Sequence, residues 1–251
     1  MKKFREKSEI WFAVVHIIAY VVLLGNADKV SESLGTRKCV TLPVVVLLSA
    51  VVFSFVKKNG LMQYYGLCRG SRDLRACLYF LPVILFSTRN FWCGVTLNVT
   101  LLETILYAAS MLFVGFLEEL IFRGYLFKAM CRNNVRTAVI VSSVTFGLGH
   151  IVNLLNGSEL IPTLMQVVYA MAIGFAFTMI FLRTGSILPC ILSHAFLNST
   201  SVVGVEAPMA VRIPLNLVVT VLAGGYAVYL ARAVKGGEET ASEPGQQAGE
   251  S

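Results

Sequence analysis

A chain of 251 residues that is 56% hydrophobic and 14% charged, with mean hydropathy +0.73, is not a soluble domain, in which about a quarter of residues carry charge. Its formal net charge of +7 is scattered along the chain instead of forming one contiguous basic face, which excludes nucleic-acid binding. Six cysteines (39, 68, 77, 93, 131 and 190) show no C-x-x-C spacing and several fall in apolar runs. They read as small packing residues and imply neither a disulfide framework nor a Cys-based zinc site.

Apolar runs of roughly 17–25 residues, long enough to cross a ~30 Å hydrocarbon core, recur eight times. They fall at about 10–25, 40–56, 75–92, 98–120, 137–155, 160–182, 187–204 and 211–231. The first follows Lys2, Lys3, Arg5 and Lys7 and resembles a signal peptide, but the seven runs behind it favour an uncleaved span. Residues 57–75 form a loop whose Gly60, Gly66 and Gly70, beside Leu61, Met62, Tyr64 and Tyr65, suggest a partly interfacial segment. Pro82 and Arg89 shorten the third run, and the fourth can continue as helix to Met130. From Gly236 the composition turns small, polar and acidic, predicting a disordered tail.

The runs are too long and too uniformly apolar for barrel strands, and no internal repeat is visible. The expected fold is therefore an all-α polytopic membrane protein, about eight transmembrane helices enclosing an intramembrane cavity. Its membrane domain is 1–235 and its polar tail 236–251. With the N-terminus in the cytoplasm, fifteen Lys and Arg fall on that side. Only Lys29, Arg37, Lys38, Arg89 and Arg212 fall on the other, and Arg123 belongs to the charged motif described below. That asymmetry predicts two cytoplasmic termini. The compact chain without sorting signals suggests a prokaryotic plasma membrane.

Inside this apolar chain, Phe116-Leu-Glu-Glu-Leu-Ile-Phe-Arg-Gly124 carries two carboxylates and a guanidinium. A charge at the bilayer centre costs about 2.5–3.5 kcal/mol on insertion scales, so such residues usually mark function. Glu119 and Arg123 are four apart and share a helix face, while Glu118 is rotated from Glu119 by about 100°. One carboxylate can thus be neutralised while the other faces a cavity. Phe146 and His150, and His194 and Asn198, are likewise four apart. Glu118 stands 14 residues before Arg132, His150 stands 14 after Arg136, and His194 stands 11 after Arg183. In antiparallel spans these residues reach one layer, about 20 Å along the helices from the basic turns.

The residue types suggest hydrolysis. A carboxyl held away from water can serve as a general base near neutrality, and a histidine or amide can donate to a developing oxyanion. Two histidines and a glutamate are also a ligand set for catalytic zinc. In that case Glu118, His150 and His194 would be the ligands. No H-E-x-x-H and no G-x-S-x-G occurs. Taken alone, the Glu119–Arg123 pair reads as a structural ion pair, and His16, with no partner motif, as a helix-packing histidine.

The motifs E-E-x-x-x-R (Glu118, Glu119, Arg123), F-x-x-x-H (Phe146, His150) and H-x-x-x-N (His194, Asn198), in this order, resemble the signature of the CAAX protease and bacteriocin-processing (CPBP, Abi) intramembrane endopeptidases. The resemblance covers roughly residues 100–200. It implies an endopeptidase whose cavity opens to the cytoplasm, acting on a membrane-associated peptide or protein in the lipid bilayer. In that pattern Glu118 with His150 activates water, His194 and Asn198 stabilise the oxyanion, and Glu119, Arg123 and Phe146 shape the site. A Glu–His pair can supply the base unaided, so no cofactor is expected, with zinc as the alternative. Two other functions compete with this one: a peptide-binding scaffold or immunity protein without turnover, and a proton- or cation-coupled transporter. No inverted repeat or matched pair of broken spans supports the transporter.

Overall fold

The computed structural model describes residues 1–68 and 80–241, with side chains described to Arg232. A short amphipathic helix, α1 (Lys2–Lys7), precedes α2 (Glu9–Ser33), which Ser8 caps by accepting from the Trp11 amide. The chain returns through α3 (Thr41–Lys58) and later enters α4 (Leu81–Ser87) and a 3₁₀ turn at Arg89–Phe91. Helix α5 (Leu101–Glu119) begins at a capping box between Thr100 and Glu103. It then widens into a π-helical segment, Leu120–Phe127, and closes with α6 (Lys128–Cys131). The Asn134 side chain caps α7 (Val135–Leu148), followed by a 3₁₀ turn at Gly149–Ile151 and α8 (Val152–Leu155). The remaining helices are α9 (Leu160–Thr184), α10 (Leu188–Thr200) with a 3₁₀ turn at Ser201–Val203, and α11 (Met209–Ala241).

Among the described residues, six helical stretches are long and apolar enough to cross a membrane: Glu9–Ser33, Thr41–Lys58, Leu101–Cys131, Val135–Leu155, Leu160–Thr184 and Met209–Arg232. They correspond to six of the eight apolar runs. The run at 187–204 is a shorter apolar helix, Leu188–Val203. The run at 75–92 is described only from residue 80, where α4 is a two-turn helix. Residues 69–79 and 242–251 lie outside the described residues, while residues 236–241, expected to open the disordered tail, continue α11. Among the described residues the only β pairing is an isolated bridge between Val95 and Gly204.

The molecule has two chemically distinct ends. At one end stand α1, the 59–68 segment, the 132–134 turn and the Thr184–Ile187 turn; these and the helix ends beside them carry Lys2, Lys3, Arg5, Lys7, Lys57, Lys58, Lys128, Arg132, Arg136 and Arg183. Here Arg5 Nε donates to the Tyr65 hydroxyl (2.8 Å), Arg5 pairs with Glu9 (2.6 Å), and Tyr64 donates to Glu9 (3.0 Å). Ser186 donates to the Cys68 carbonyl, tying two of these turns together. At the other end, Lys38 pairs with Asp28 (2.7 Å), and the Asn98 amide bonds the carbonyls of Val202 and Gly204.

The core lies in the half nearer the basic end. All eight residues of the π-helical segment are buried there, and Phe12, Phe55, Tyr65 and Tyr125 stack around it at centroid distances of 4.9–5.5 Å. A π turn leaves carbonyls without their usual helical partners. Ser142 of α7 donates to that of Phe122 (2.9 Å), holding α7 against the distorted segment.

Candidate active site

The carboxylate pair sits where α5 gives way to the π-helical segment. Glu118 is 17 residues from the start of the Leu101–Cys131 stretch, about 26 Å at 1.5 Å per residue, and about 20 Å from its end. It is therefore near mid-depth. The two neighbours have opposite surroundings. Glu119 is 0% exposed, and its Oε1 receives both Arg123 Nη1 (2.9 Å) and His194 Nδ1 (2.8 Å). Glu118 lines a cavity and accepts from the Tyr20 hydroxyl at Oε1 (2.6 Å). Its Oε2 lies 3.5 Å from His194 Nε2.

Arg123, also 0% exposed, lays its guanidinium over the Phe146 ring at 4.1 Å and within 5.7 Å of Phe177. The aromatic faces offset part of the cost of its desolvation. Among the described residues, its Nε and Nη2, and Glu119 Oε2, have no hydrogen-bond partner. The ion pair is therefore held by packing as well as by charge. Gly174 makes room for it, since a Cβ there would stand 3.3 Å from both Arg123 Nη2 and the Phe146 ring. Phe146 also meets both histidines edge-on, with ring centroids 5.7 Å from His150 and 5.5 Å from His194.

Helix α10 reaches the carboxylates because α5 has a glycine at the crossing. A Cβ on Gly115 would lie 2.7 Å from the Ala195 amide nitrogen and 2.8 Å from its Cα. The backbones are thus in direct contact beside His194. Asn90 fastens the other end of α10 through bonds to the Leu197 carbonyl and Thr200 Oγ1. Ser193 bonds Ser87 on α4.

The cavity, about 870 Å³, is lined at its inner end by Ile17, Tyr20, Glu118, Phe122, Phe146 and His150, with Asn198 on the α10 side. Its outer part is lined by Asp28, Lys38, Arg89, Asn153, Glu206 and Arg212. None of its lining comes from the basic-end segments 57–68, 128–136 or 183–187.

Six of the seven motif residues are thus joined by contacts, and the seventh, Asn198, lines the same cavity as Glu118 and His150. The partnership differs from the expected pairing of Glu118 with His150. His194 stands between Glu118 and Glu119, with a ring nitrogen aimed at each and only 4% of its surface exposed. His150, on the 3₁₀ turn where α7 loses its regular pitch, stands at the cavity wall with Glu118 and Asn198. Residues four apart on α10 therefore face different surroundings: Asn198 the cavity, His194 the buried ion pair. His16 keeps to packing, bonding the Phe12 carbonyl through Nδ1 (2.7 Å) and lying against Phe12 and Tyr125. The residue that motif spacing missed is Tyr20, 98 positions before its partner. Its only sequence signal is a polar tip on an otherwise apolar face of the first span.

The donor set also bears on a metal. His194 Nδ1 is committed to Glu119, and among the described residues no three His, Cys, Asp or Glu side chains converge as a ligand group. With Nδ1 so held, Nε2 is the His194 nitrogen left to reach a metal, on the side of Glu118.

Residues 100–200 match the family model described as type II CAAX prenyl endopeptidase Rce1-like. The matched stretch contains all three motifs, and it bears out the CAAX-protease resemblance of this part of the chain. No curated protein matches the chain.

Proposed function

We propose that this protein is an intramembrane endopeptidase that hydrolyses a peptide bond in a membrane-associated peptide or protein, in the manner of CAAX-type or leader-processing enzymes. The observation that carries this reading is Glu118. It is a carboxylate on a cavity wall at mid-membrane depth, held at one oxygen by Tyr20 and faced at the other by His194. A carboxylate so fixed, and open to the cavity on its free side, suits a general base. The family match over residues 100–200 supports the same chemistry.

In the proposed reaction Glu118 takes a proton from a cavity water, whose oxygen bonds to the carbonyl carbon of the substrate. His150 and the Asn198 amide, on the same cavity wall, donate to the carbonyl oxygen as it gains charge. Collapse breaks the C–N bond, and the proton on Glu118 passes to the leaving amine, restoring the carboxylate. His194 acts from behind. By donating to Glu119 through Nδ1 and facing Glu118 through Nε2, it fixes the distance between the two carboxylates. Glu119 and Arg123 hold His194, and Phe146 holds Arg123. No metal is assigned, with zinc the alternative.

The test is cleavage of a panel of membrane-inserted peptides by the purified protein in liposomes, with and without a chelator and with metal content measured. Turnover that survives chelation supports the carboxylate mechanism. Turnover lost on chelation and restored by zinc would replace it. Peptide binding with no turnover at all would favour the scaffold reading.

A further inference from the structure

We infer that Arg89 and Tyr169 form a subsite of the cavity that takes a carboxylate of the bound peptide. Arg89 is the cation that shortens the third apolar run, and no group of the catalytic layer pairs with it. It opens the 3₁₀ turn after α4, half-buried, with its guanidinium carbon 4.3 Å from the centroid of the Tyr169 ring. Both residues line the cavity that holds Glu118, His150 and Asn198. Tyr169 is only 7% exposed, and among the described residues its hydroxyl has no acceptor. Arg89 brings five N–H donors and no acceptor, and among the described residues it pairs with no carboxylate. Lys38, on the same cavity, is by contrast neutralised by Asp28 at 2.7 Å. Arg89 and Tyr169 are thus donors with one fixed positive charge and no anion.

The subsite stands beside the reacting layer. Asn90, next in the chain, bonds the Leu197 carbonyl, and Asn198 is the residue after it. Val167 and Met171 flank Tyr169 on α9 and press on Gly147. A Cβ there would lie 2.8 Å from the Val167 carbonyl oxygen and 2.9 Å from the Met171 amide nitrogen. His150 is three residues beyond Gly147, so Tyr169 stands within about one helical turn of its level. Val83 and Phe86 of α4 share an apolar cluster with Tyr169, which fixes the turn carrying Arg89. A guanidinium stacked on a ring keeps its planar edge free for a two-oxygen partner. A carboxylate matches that edge, and the Tyr169 hydroxyl can add a further bond to it. A neutral amide would leave the charge uncompensated. Glu206, the other acid on this cavity, is exposed and among the described residues forms no ion pair. Two sources can present the group: a C-terminal carboxylate, or an Asp or Glu side chain close to the scissile bond.

That the peptide is a substrate rests on the proteolytic reading, so binding and cleavage are measured separately. The full-length protein is placed in liposomes of uncharged lipid with two matched pairs of membrane-inserted peptides. One pair ends in a carboxylate or a carboxamide. The other is amidated at its end and carries Glu or Gln inside. In at least one pair the acid should bind about tenfold or more tighter than its amide, as a charge-assisted hydrogen bond allows, and the pair that shows this names the source. Arg89→Gln should bind both members alike, at the weaker level. Arg89→Lys should restore part of the preference, and Tyr169→Phe, which keeps the ring under the guanidinium, should reduce it. Equal binding within both pairs overturns the inference, and so does a preference that persists in Arg89→Gln. Equal weakening of every peptide by Arg89→Gln also overturns it and makes Arg89 a structural residue. Should Arg89→Gln fail to fold by its melting curve, an undiminished preference in Tyr169→Phe overturns the inference instead. With the expected binding, failure to cleave any of the four peptides counts against the proteolytic reading alone.

Discussion

Glu118 and Glu119, adjacent in sequence, are not equivalent: one lines the cavity and accepts from Tyr20, while the other is sealed against Arg123 and His194. Substitution should separate them. Glu118→Gln keeps the shape and the Tyr20 contact, so turnover should be lost with little change in thermal stability. Glu119→Gln leaves a buried guanidinium without its counter-charge. It should lower both stability and activity, since breaking a buried pair from one side costs about 3–5 kcal/mol. Melting curves beside cleavage rates check this, and equal effects of the two would contradict it.

The Tyr20 hydroxyl is expected to matter for rate more than for folding. A hydrogen bond to a charged group contributes about 1.5–3 kcal/mol, so Tyr20→Phe should lower kcat by roughly ten- to a hundredfold with KM nearly unchanged. A variant with full kcat would remove Tyr20 from the site.

The contact at Gly115 predicts a steric effect on catalysis. Gly115→Ala puts a methyl against the Ala195 backbone, and the backbone cannot rotate away as a flexible side chain could. Overpacking of this kind costs about 1–3 kcal/mol. Helix α10 should shift, withdrawing His194 from the carboxylates and lowering kcat at least tenfold. Gly225→Ala, where a Cβ would meet nothing within 4 Å, is the matched control.

The packing at the basic end should respond to alkali. Burial pushes the Tyr65 hydroxyl up to about 12, against an ordinary value near 10, although Arg5 beside it favours the ionised form. The folded protein therefore prefers the neutral phenol. The stability this contributes is complete below pH 10 and is lost as pH rises from 10 toward 12. Thermal stability should fall across that window, and less steeply in Tyr65→Phe. An identical pH profile in the two proteins would contradict the assignment.

The sequence made the long helices and the site layer legible for simple reasons. Apolar run length sets a span, and counting from basic turns sets depth. Glu118, His150 and His194 were found at one level in this way. Depth does not give rotation about a helix axis, and this is why the place of His194 between the two carboxylates was not legible. The π-helical segment at Leu120–Phe127 also shifts the facing of the residues that follow it, and no residue in Leu-Ile-Phe-Arg-Gly-Tyr-Leu-Phe announces it. Tyr20 escaped because nothing in an isolated apolar helix points to a partner 98 residues away. The direction of the cavity depends on how all the helices pack, which no local pattern encodes.

The central claim is that Glu118 is the base of a peptide-bond hydrolysis. Its most direct measurement is single-turnover cleavage of a membrane-inserted peptide by the liposome-reconstituted protein and by Glu118→Gln, both shown to be folded by matching melting curves. Cleavage is expected from the first and a loss of at least about a thousandfold in the second, in line with removal of an essential acid–base group. Cleavage by Glu118→Gln at a comparable rate would contradict it.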